Sequence, residues 1–214
     1  DIHMKNTEHL SEKDIKILVS YHKPSILLRN EILTPIHAGR AIAQKPSKDG
    51  TIDAASYQWL QDTMIGDDTG DNISEKNRFY NEVTSIYWAW KNRKALDNPK
   101  YVGFMHYRRQ FIFDDSKQSW YLNNPWFAPQ SEYKIYCLFD KDLPVLFSED
   151  QIIKAVNEAD VLIAKPAEYN ISVYEQYAND KREHVLSDLD CVLNVIDEKY
   201  PKYIDLENFF LVHG

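Results

Sequence analysis

The chain has 214 residues, enough for one full domain, and its 43% hydrophobic content can fill a core, which excludes wholesale disorder. A formal net charge of −8 argues against non-specific nucleic-acid binding, which normally needs a basic surface. No apolar run approaches the ~18 residues of a membrane span, so any membrane contact is expected to be peripheral.

The first predicted elements suggest the start of an open sheet. The segment "IKILVSY" (15–21) predicts a strand buried on both faces, and it leads into the turn "HKPS", which carries His22 and Lys23. A second short strand with its loop is predicted within 31–43, and a short helix over 53–64. Polar residues that follow a first parallel strand lie where such sheets place ligand contacts.

The segment "NRFYNEVTSIYWAWKNRK" predicts a helix whose apolar residues recur at helical spacing. The residues of this stripe are Phe79, Tyr80, Val83, Ile86, Tyr87 and Trp90. The polar loop "GDDTGDNISEKN" precedes the helix, and Asn72 or Ser74 is expected to cap it.

Further elements alternate along the rest of the chain. They are a strand (101–105), a loop-rich stretch (114–149), a helix (149–158), a strand "DVLIAK" (160–165), and helices near 172–181 and 187–199. This alternation predicts an α/β fold with a mostly parallel central sheet flanked by helices.

The segment "YVGFMHYRRQF" places His106, Tyr107, Arg108 and Arg109 at the end of an apolar strand. If the backbone stays extended there, His106 and Arg108 share one face, and the other two share the opposite face. Two guanidinium groups suit bidentate contact with phosphate or carboxylate. The alternative is a pair of surface ion pairs, worth ~0–1 kcal/mol each. The apolar lead-in favours a ligand site.

The acidic loop carries Asp67, Asp68 and Asp71 within five positions. These carboxylates could bind a divalent metal or accept hydrogen bonds from sugar hydroxyls. Turn formation and helix capping explain the glycines and Ser74 equally well. Both interpretations stay open.

Two further segments carry candidate residues. The stretch "SWYLNNPWFAPQ" holds Trp120, Tyr121 and Trp126, which form either a platform for sugar rings or a satellite hydrophobic cluster. In "SDLDC" the two aspartates point nearly opposite ways on a predicted helix and so would not share a metal. A capping box from Ser187 explains them, with Asp188 as a minority candidate for a catalytic base.

Several signals are absent from the sequence. It has no Gly-x-Gly-x-x-Gly, no P-loop and no Gly-x-Ser-x-Gly, so dinucleotide oxidoreductases, P-loop ATPases and serine hydrolases lose support. Cys137 and Cys191 form neither a disulfide framework nor a zinc pattern. Reduced thiols and the lack of a signal peptide favour a cytoplasmic protein, and a position at the inner face of a membrane fits this expectation. Residues 1–3 are expected to be a vector remnant, and 4–214 the functional domain.

Taken in order, several segments make the sequence resemble a bacterial family of capsular, exopolysaccharide and lipopolysaccharide glycosyltransferases, long described as a domain of unknown function. They are "KILVSYHKP", "GDNISEKNRFYNEVTSIYWAWKN", "YVGFMHYRRQF", "ADVLIAKP" and "SVYEQYANDKREHVLSDLDCVLNVIDEKYPKY". The resemblance implies a GT-A-like (Rossmann-like) fold and transfer of a sugar, often galactose, from a nucleotide-diphosphate donor such as a UDP-sugar to a glycan or lipid-linked glycan. A non-catalytic nucleotide- or glycan-binding module is the alternative.

The resemblance also implies roles for particular residues. His106, Tyr107, Arg108 and Arg109 occupy the region of the metal-binding Asp-x-Asp in related folds, where the cations would replace or supplement Mn²⁺ or Mg²⁺ at the diphosphate. The other expected donor contacts are Tyr21, His22, Lys23, Asp67, Asp71, Asn72 and Glu82, and the expected acceptor contacts are Trp120, Tyr121 and Trp126. Members of the family usually continue into a further strand and helix, so we expect this chain to lack the usual C-terminal segment.

Overall fold

A computed structural model of the chain describes residues 9–47, 50–113, 147–163, 171–179 and 184–203. These residues fall into two compact units, one up to residue 163 and one from residue 171, and each is described by itself. No helix among the described residues is long and apolar enough to cross a lipid bilayer.

The first unit is built on a four-stranded parallel sheet. Its strands are β1 (Ile15–Tyr21), β2 (Leu33–His37), β3 (Ile65–Gly66) and β4 (Tyr101–His106). Their order is β3-β2-β1-β4, and all three pairings are parallel. Three of the four predicted strands are confirmed as β1, β2 and β4, whereas the two-residue β3 is too short to leave a sequence pattern.

Helices cover both faces of this sheet. They are α1 (Ala54–Thr63), α2 (Asn77–Tyr80), α3 (Val83–Lys91) and α4 (Glu149–Asn157). Leu60 of α1 and Ile152 of α4 join the cluster that contains Ile17 of β1, whereas Trp88 of α3 packs with Leu18 in a second cluster. Because β1 is covered on both sides, it is buried along nearly its whole length rather than at alternate residues. The predicted α/β class with a parallel, helix-flanked sheet is confirmed.

The predicted helix over residues 77–94 is broken into two. Asn81 has φ 48° and ψ −129°, and this non-helical residue separates α2 from α3. Ser74 and Asn72 cap neither helix: Ser74 lies in a short 3₁₀ helix, and Asn72 Oδ1 accepts the backbone N–H of Ser74 at 3.2 Å. The capping prediction is therefore wrong.

The face of α3 that packs against the sheet is not the predicted apolar stripe. Its buried residues are Thr84, Ser85, Trp88 and Ala89. The Thr84 hydroxyl donates to Asp67, and Trp88 Nε1 donates to the carbonyl of Thr69 at 3.0 Å. The acidic loop thus packs against the side of the helix that can satisfy its oxygens. The apolar stripe consequently faces solvent, with Phe79 84% and Trp90 69% exposed.

The second unit contains α5 (Val173–Asn179) and α6 (Leu186–Lys199), followed by a 3₁₀ turn at Pro201–Tyr203. Both predicted helices are confirmed. Val185, rather than Ser187, is the N-cap of α6, so the predicted capping box is wrong. In the first unit, residues 160–163 of the predicted strand 160–165 are not in a strand, and its last two residues lie outside the described part.

Candidate functional site

The carboxyl ends of the parallel strands meet at one edge of the sheet, and β1 marks the point where the strand order reverses. The chain proceeds from β1 outwards to β3 and then places β4 on the other side of β1. Open α/β sheets bind ligands outside such a reversal point. His22 directly follows β1 and His106 ends β4, with 5.8 Å between their ring centroids.

A tight turn at residues 106–109 follows β4. The His106 N–H donates to the Arg109 carbonyl at 3.0 Å, and the Arg109 N–H donates to the His106 carbonyl at 2.9 Å. The extended backbone expected from the sequence is therefore wrong, because the chain reverses at Tyr107 and Arg108. The turn places Arg108 at its tip and brings Arg109 back beside His106.

The two arginine side chains extend from this turn into solvent. Neither guanidinium makes a hydrogen bond or an ion pair with any residue that the structure describes, although Arg108 Cζ lies 5.3 Å from the Tyr107 ring centroid. The described residues thus do not support the interpretation of Arg108 and Arg109 as surface ion pairs. Both remain available to an anionic ligand.

His106 is neutral and presents an N–H group at this edge. Its Nδ1 accepts the Arg108 backbone N–H at 3.1 Å, so the ring proton sits on Nε2. Burial lowers the pKa of His106 to about 4; Glu82 opposes this shift, and Arg108 adds to it. Because the ring is neutral at pH 7, the 3.4 Å approach of Nε2 to Glu82 Oε1 is not an ion pair. Nε2 is buried without a hydrogen-bond partner among the described residues.

Tyr21 and Tyr107 form the floor of the site rather than its contact surface. The Tyr21 ring is fully buried, and its hydroxyl donates to the Ile26 carbonyl and accepts the Leu28 N–H, both at 2.8 Å. The Tyr21 ring stacks on the ring of Tyr107, with 5.3 Å between the ring centroids. Tyr107 is 8% exposed. Burial raises the pKa of Tyr21 to about 12 and also raises the pKa of Tyr107. The Tyr21 hydroxyl is therefore occupied by the protein, whereas the Tyr107 hydroxyl lies 3.5 Å from His22 Nε2. The donor contacts predicted for both residues stay predictions.

Asp67 is a structural residue. Its fully buried carboxylate accepts hydrogen bonds from the Gly39 N–H at 2.8 Å, the Arg40 N–H at 3.1 Å, the Ser74 hydroxyl at 2.5 Å and the Thr84 hydroxyl at 2.6 Å. With four internal donors and no exposed surface, the Asp67 carboxylate is occupied by the protein itself. It ties three segments of the chain together, and the donor contact predicted for Asp67 stays a prediction.

The remaining acidic-loop candidates differ in their surroundings. Glu82 has a 52% exposed side chain and lies beside His106. Asp71 is exposed and accepts the Tyr87 hydroxyl at 3.1 Å. The Asn72 amide group is engaged within its own loop, where it donates to the Gly70 carbonyl. Glu82 is thus the carboxylate that the structure brings against the histidine. Lys23 is exposed next to His22.

The described residues do not fit a metal held by the protein alone. Among them, no three His, Cys, Asp or Glu side chains gather as metal ligands would. Asp67, one of the three carboxylates that could have served as ligands, is fully engaged by protein donors. The proposed chemistry therefore routes no step through Mn²⁺ or Mg²⁺.

The remaining candidate residues belong to the second unit or lie outside the described residues. Asp188 is exposed on α6 in the second unit. The predicted acceptor residues Trp120, Tyr121 and Trp126 lie outside the described residues. Their roles stay predictions.

One further histidine, His37, lies at the same edge and was not among the predicted site residues. His37 ends β2 with 1% exposure, and its Nδ1 has no hydrogen-bond partner among the described residues. Burial lowers the pKa of His37 to about 4, and the charge of Arg40 lowers it further. Its position at the end of the second predicted strand could have indicated that it lies at this edge of the sheet.

The depressed pKa of His37 makes stability depend on pH. In the unfolded chain the imidazole titrates near its ordinary pKa of 6.5, so the unfolded state binds more protons between about pH 6.5 and pH 4. Stability therefore falls as the pH drops through this window, by about 2 kcal/mol at pH 5 from His37. His37→Gln should lose less stability between pH 7 and pH 5 than the wild type, measured by urea unfolding. The exposed His9→Gln is the control, and an unchanged slope for His37→Gln would contradict the assignment.

A parallel sheet with cationic and histidine side chains at its reversal point is the architecture of enzymes and binding modules that hold anionic, nucleotide-like ligands. The sequence profile of the family described as "Domain of unknown function (DUF4422)" matches residues 16–212, and the chain belongs to this family. No curated protein matches the chain.

A solved structure titled as the apo form of the WbbM bifunctional glycosyltransferase is similar to the chain. The TM-score is 0.70 at 28% sequence identity, and the match covers 94% of this chain. The chain corresponds to about a third of that protein, 32% of its length. The predicted GT-A-like fold is confirmed, and the relation to glycosyltransferases is supported at the level of family and fold.

Proposed function

We propose that this chain is a glycosyltransferase domain that binds a nucleotide-diphosphate sugar at the carboxyl edge of its sheet. The observation that carries the proposal is the pair of exposed guanidinium groups, Arg108 and Arg109, beside the reversal point of the strand order. The similarity to a glycosyltransferase structure supports the reaction class.

The chemistry follows from where charge develops. In the transfer, an acceptor hydroxyl oxygen forms a bond to the sugar's anomeric carbon and its proton passes to a base. The bond between that carbon and a phosphate oxygen breaks, and its electron pair leaves with the nucleoside diphosphate. Arg108 and Arg109 can bind the departing diphosphate. His106, which ends β4 beside them, is the third proposed catalytic residue; its Nε2–H is buried in this structure and would have to be uncovered before it donated a hydrogen bond to the diphosphate.

The surrounding side chains supply positions for the rest of the donor. His22 and Lys23 follow β1 and would contact the nucleotide. Glu82 is placed to accept hydrogen bonds from sugar hydroxyls, and Asp71 is an exposed second candidate. Asp188, which is exposed on α6 of the second unit, would serve as the catalytic base.

The finer assignment is also a proposal. We favour UDP-galactose as donor and a capsular, exopolysaccharide or lipopolysaccharide glycan as acceptor, with Trp120, Tyr121 and Trp126 contacting the acceptor. The motifs that resemble polysaccharide glycosyltransferases support this choice. A cytoplasmic location, where nucleotide sugars are available, goes with it.

Isothermal titration calorimetry with UDP, UDP-galactose and UDP-glucose tests the donor assignment, with GDP and CDP as comparisons and with Mg²⁺ or Mn²⁺ added or withheld. We expect saturable binding of at least one nucleoside diphosphate. Failure of every nucleoside diphosphate to bind would overturn the proposal.

The alternative, a non-catalytic nucleotide- or glycan-binding module, shares the same site. It is motivated by the chain's match to only a third of a bifunctional protein. It predicts binding without release of UDP from UDP-sugars in the presence of a glycan acceptor.

A further inference from the structure

Five large apolar side chains are exposed on the consecutive helices α2 and α3. This exposed stripe comprises Phe79 (84% exposed), Tyr80 (49%), Val83 (49%), Ile86 (40%) and Trp90 (69%). Positions 83, 86 and 90 recur at helical spacing, so their side chains share one face of α3. Single exposed apolar residues are ordinary, but a group of this kind marks an interaction surface.

The same segment is basic, although the protein as a whole is acidic. Residues 76–94 contain five Lys or Arg residues and one acidic residue, whereas the whole chain has a net charge of −8. Lys91 Nζ lies 3.8 Å from the ring centroid of Trp90, so a cation directly adjoins the exposed stripe. The one acidic residue, Glu82, approaches His106 at the candidate site.

The combination of exposed apolar side chains with adjoining lysines and arginines indicates which kind of partner this surface binds. Transfer of aliphatic side chains such as Val83 and Ile86 from water to hydrocarbon lowers the free energy. A sugar ring, by contrast, stacks on flat aromatic rings and needs polar side chains for its hydroxyls. Aromatic and aliphatic residues beside lysines and arginines are typical of helices that lie at the interface of an anionic bilayer. The acidic remainder of the chain would be repelled by such a surface.

We propose that the exposed stripe, with its flanking lysines and arginines, docks the protein on anionic phospholipid membranes. The stripe would enter the headgroup boundary, and Lys91 and Lys94 would contact lipid phosphates. This proposal does not depend on the proposed function, because lipid binding needs no nucleotide sugar. If both hold, Glu82 immediately before Val83 places the catalytic edge close to the bilayer, where a lipid-linked acceptor would be presented.

Co-sedimentation of the full chain with vesicles tests the docking surface. We expect binding to vesicles of about equal parts phosphatidylglycerol and phosphatidylcholine, little binding to phosphatidylcholine alone, and weakening at high salt. The double variant Phe79→Ala with Trp90→Ala should bind about tenfold or more weakly, since both anchors are lost. Lys91→Gln with Lys94→Gln should also weaken binding by about tenfold or more.

The matched control removes two exposed aromatic residues from the second unit, Tyr200→Ala with Tyr203→Ala, and should bind like the wild type. Circular dichroism checks that each variant is folded, which is expected because the removed side chains are largely exposed. Absence of binding to anionic vesicles, or equal binding by the Phe79/Trp90 variant, would overturn the proposal. So would a dimer in light scattering that the Phe79/Trp90 variant dissociates while no vesicle binding occurs.

Discussion

Arg108→Ala is expected to lower the rate of UDP release from a UDP-sugar by about 100- to 1000-fold, with little change in the thermal midpoint. The Arg108 side chain is exposed and makes no hydrogen bond or ion pair with any described residue, so its removal leaves no group unsatisfied. Its loss acts on the leaving diphosphate, where negative charge increases during the reaction. Steady-state kinetics, calorimetry with UDP and thermal unfolding together measure the effect.

Two variants define what Arg108 contributes. Arg108→Lys keeps the charge but loses the planar fork, and should recover only part of the rate. Arg29→Ala removes another exposed arginine, near the start of β2, and should leave the rate unchanged. If Arg108→Ala unfolds the protein while its remaining folded fraction is fully active, Arg108 is structural and the diphosphate assignment fails.

Asp67→Ala is expected to lower the free energy of unfolding by about 3–5 kcal/mol, a large fraction of the stability of an ordinary domain. The substitution leaves two backbone N–H groups and the hydroxyls of Ser74 and Thr84 without their buried acceptor. Because these donors come from three segments of chain, the loop after β2 and the start of α3 should loosen together. Urea unfolding gives the change in free energy.

Smaller substitutions keep this prediction testable if Asp67→Ala does not fold. Thr84→Val and Ser74→Ala each remove one donor and should lower stability by about 1–3 kcal/mol. Asp71→Ala, which removes an exposed carboxylate from the same loop, should change it by about 1 kcal/mol or less. A loss at Asp67 no larger than that at Asp71 would contradict the structural role.

At the carboxyl edge of the sheet, burial and hydrogen bonding separate the residues that hold the fold together from those that can contact a ligand. Groups that hold the scaffold, such as Asp67 and Tyr21, are buried and have their polar atoms occupied by the protein. Groups that can meet a ligand, such as Arg108 and Arg109, are exposed, and the His106 Nε2 lacks a partner in the described residues. Both kinds of residue looked alike in the sequence, because residue type alone does not reveal whether a polar atom is already paired.

Local patterns were sufficient for much of the fold. The apolar run of β1, the spacing of α1, α4, α5 and α6, and the alternation of elements led to an α/β fold with a parallel sheet. These features depend on residues that are near one another along the chain. The same is true of the polar turn after β4, since a charged sequence at the end of a buried strand must lie at an edge of the sheet.

Tertiary structure decided what depends on distant partners. The stripe from Phe79 to Trp90 has the spacing of a buried helix face, but the helix buries Thr84 and Trp88 instead, because they satisfy oxygens of a loop that precedes it. The same long-range pairing gives the Asp67 carboxylate its donors and buries it. The sequence by itself therefore determined the elements and the edge at which polar side chains gather. Which of those side chains is free to bind a ligand was decided only by folding, because hydrogen-bond partners are brought together by the fold and not by spacing along the chain.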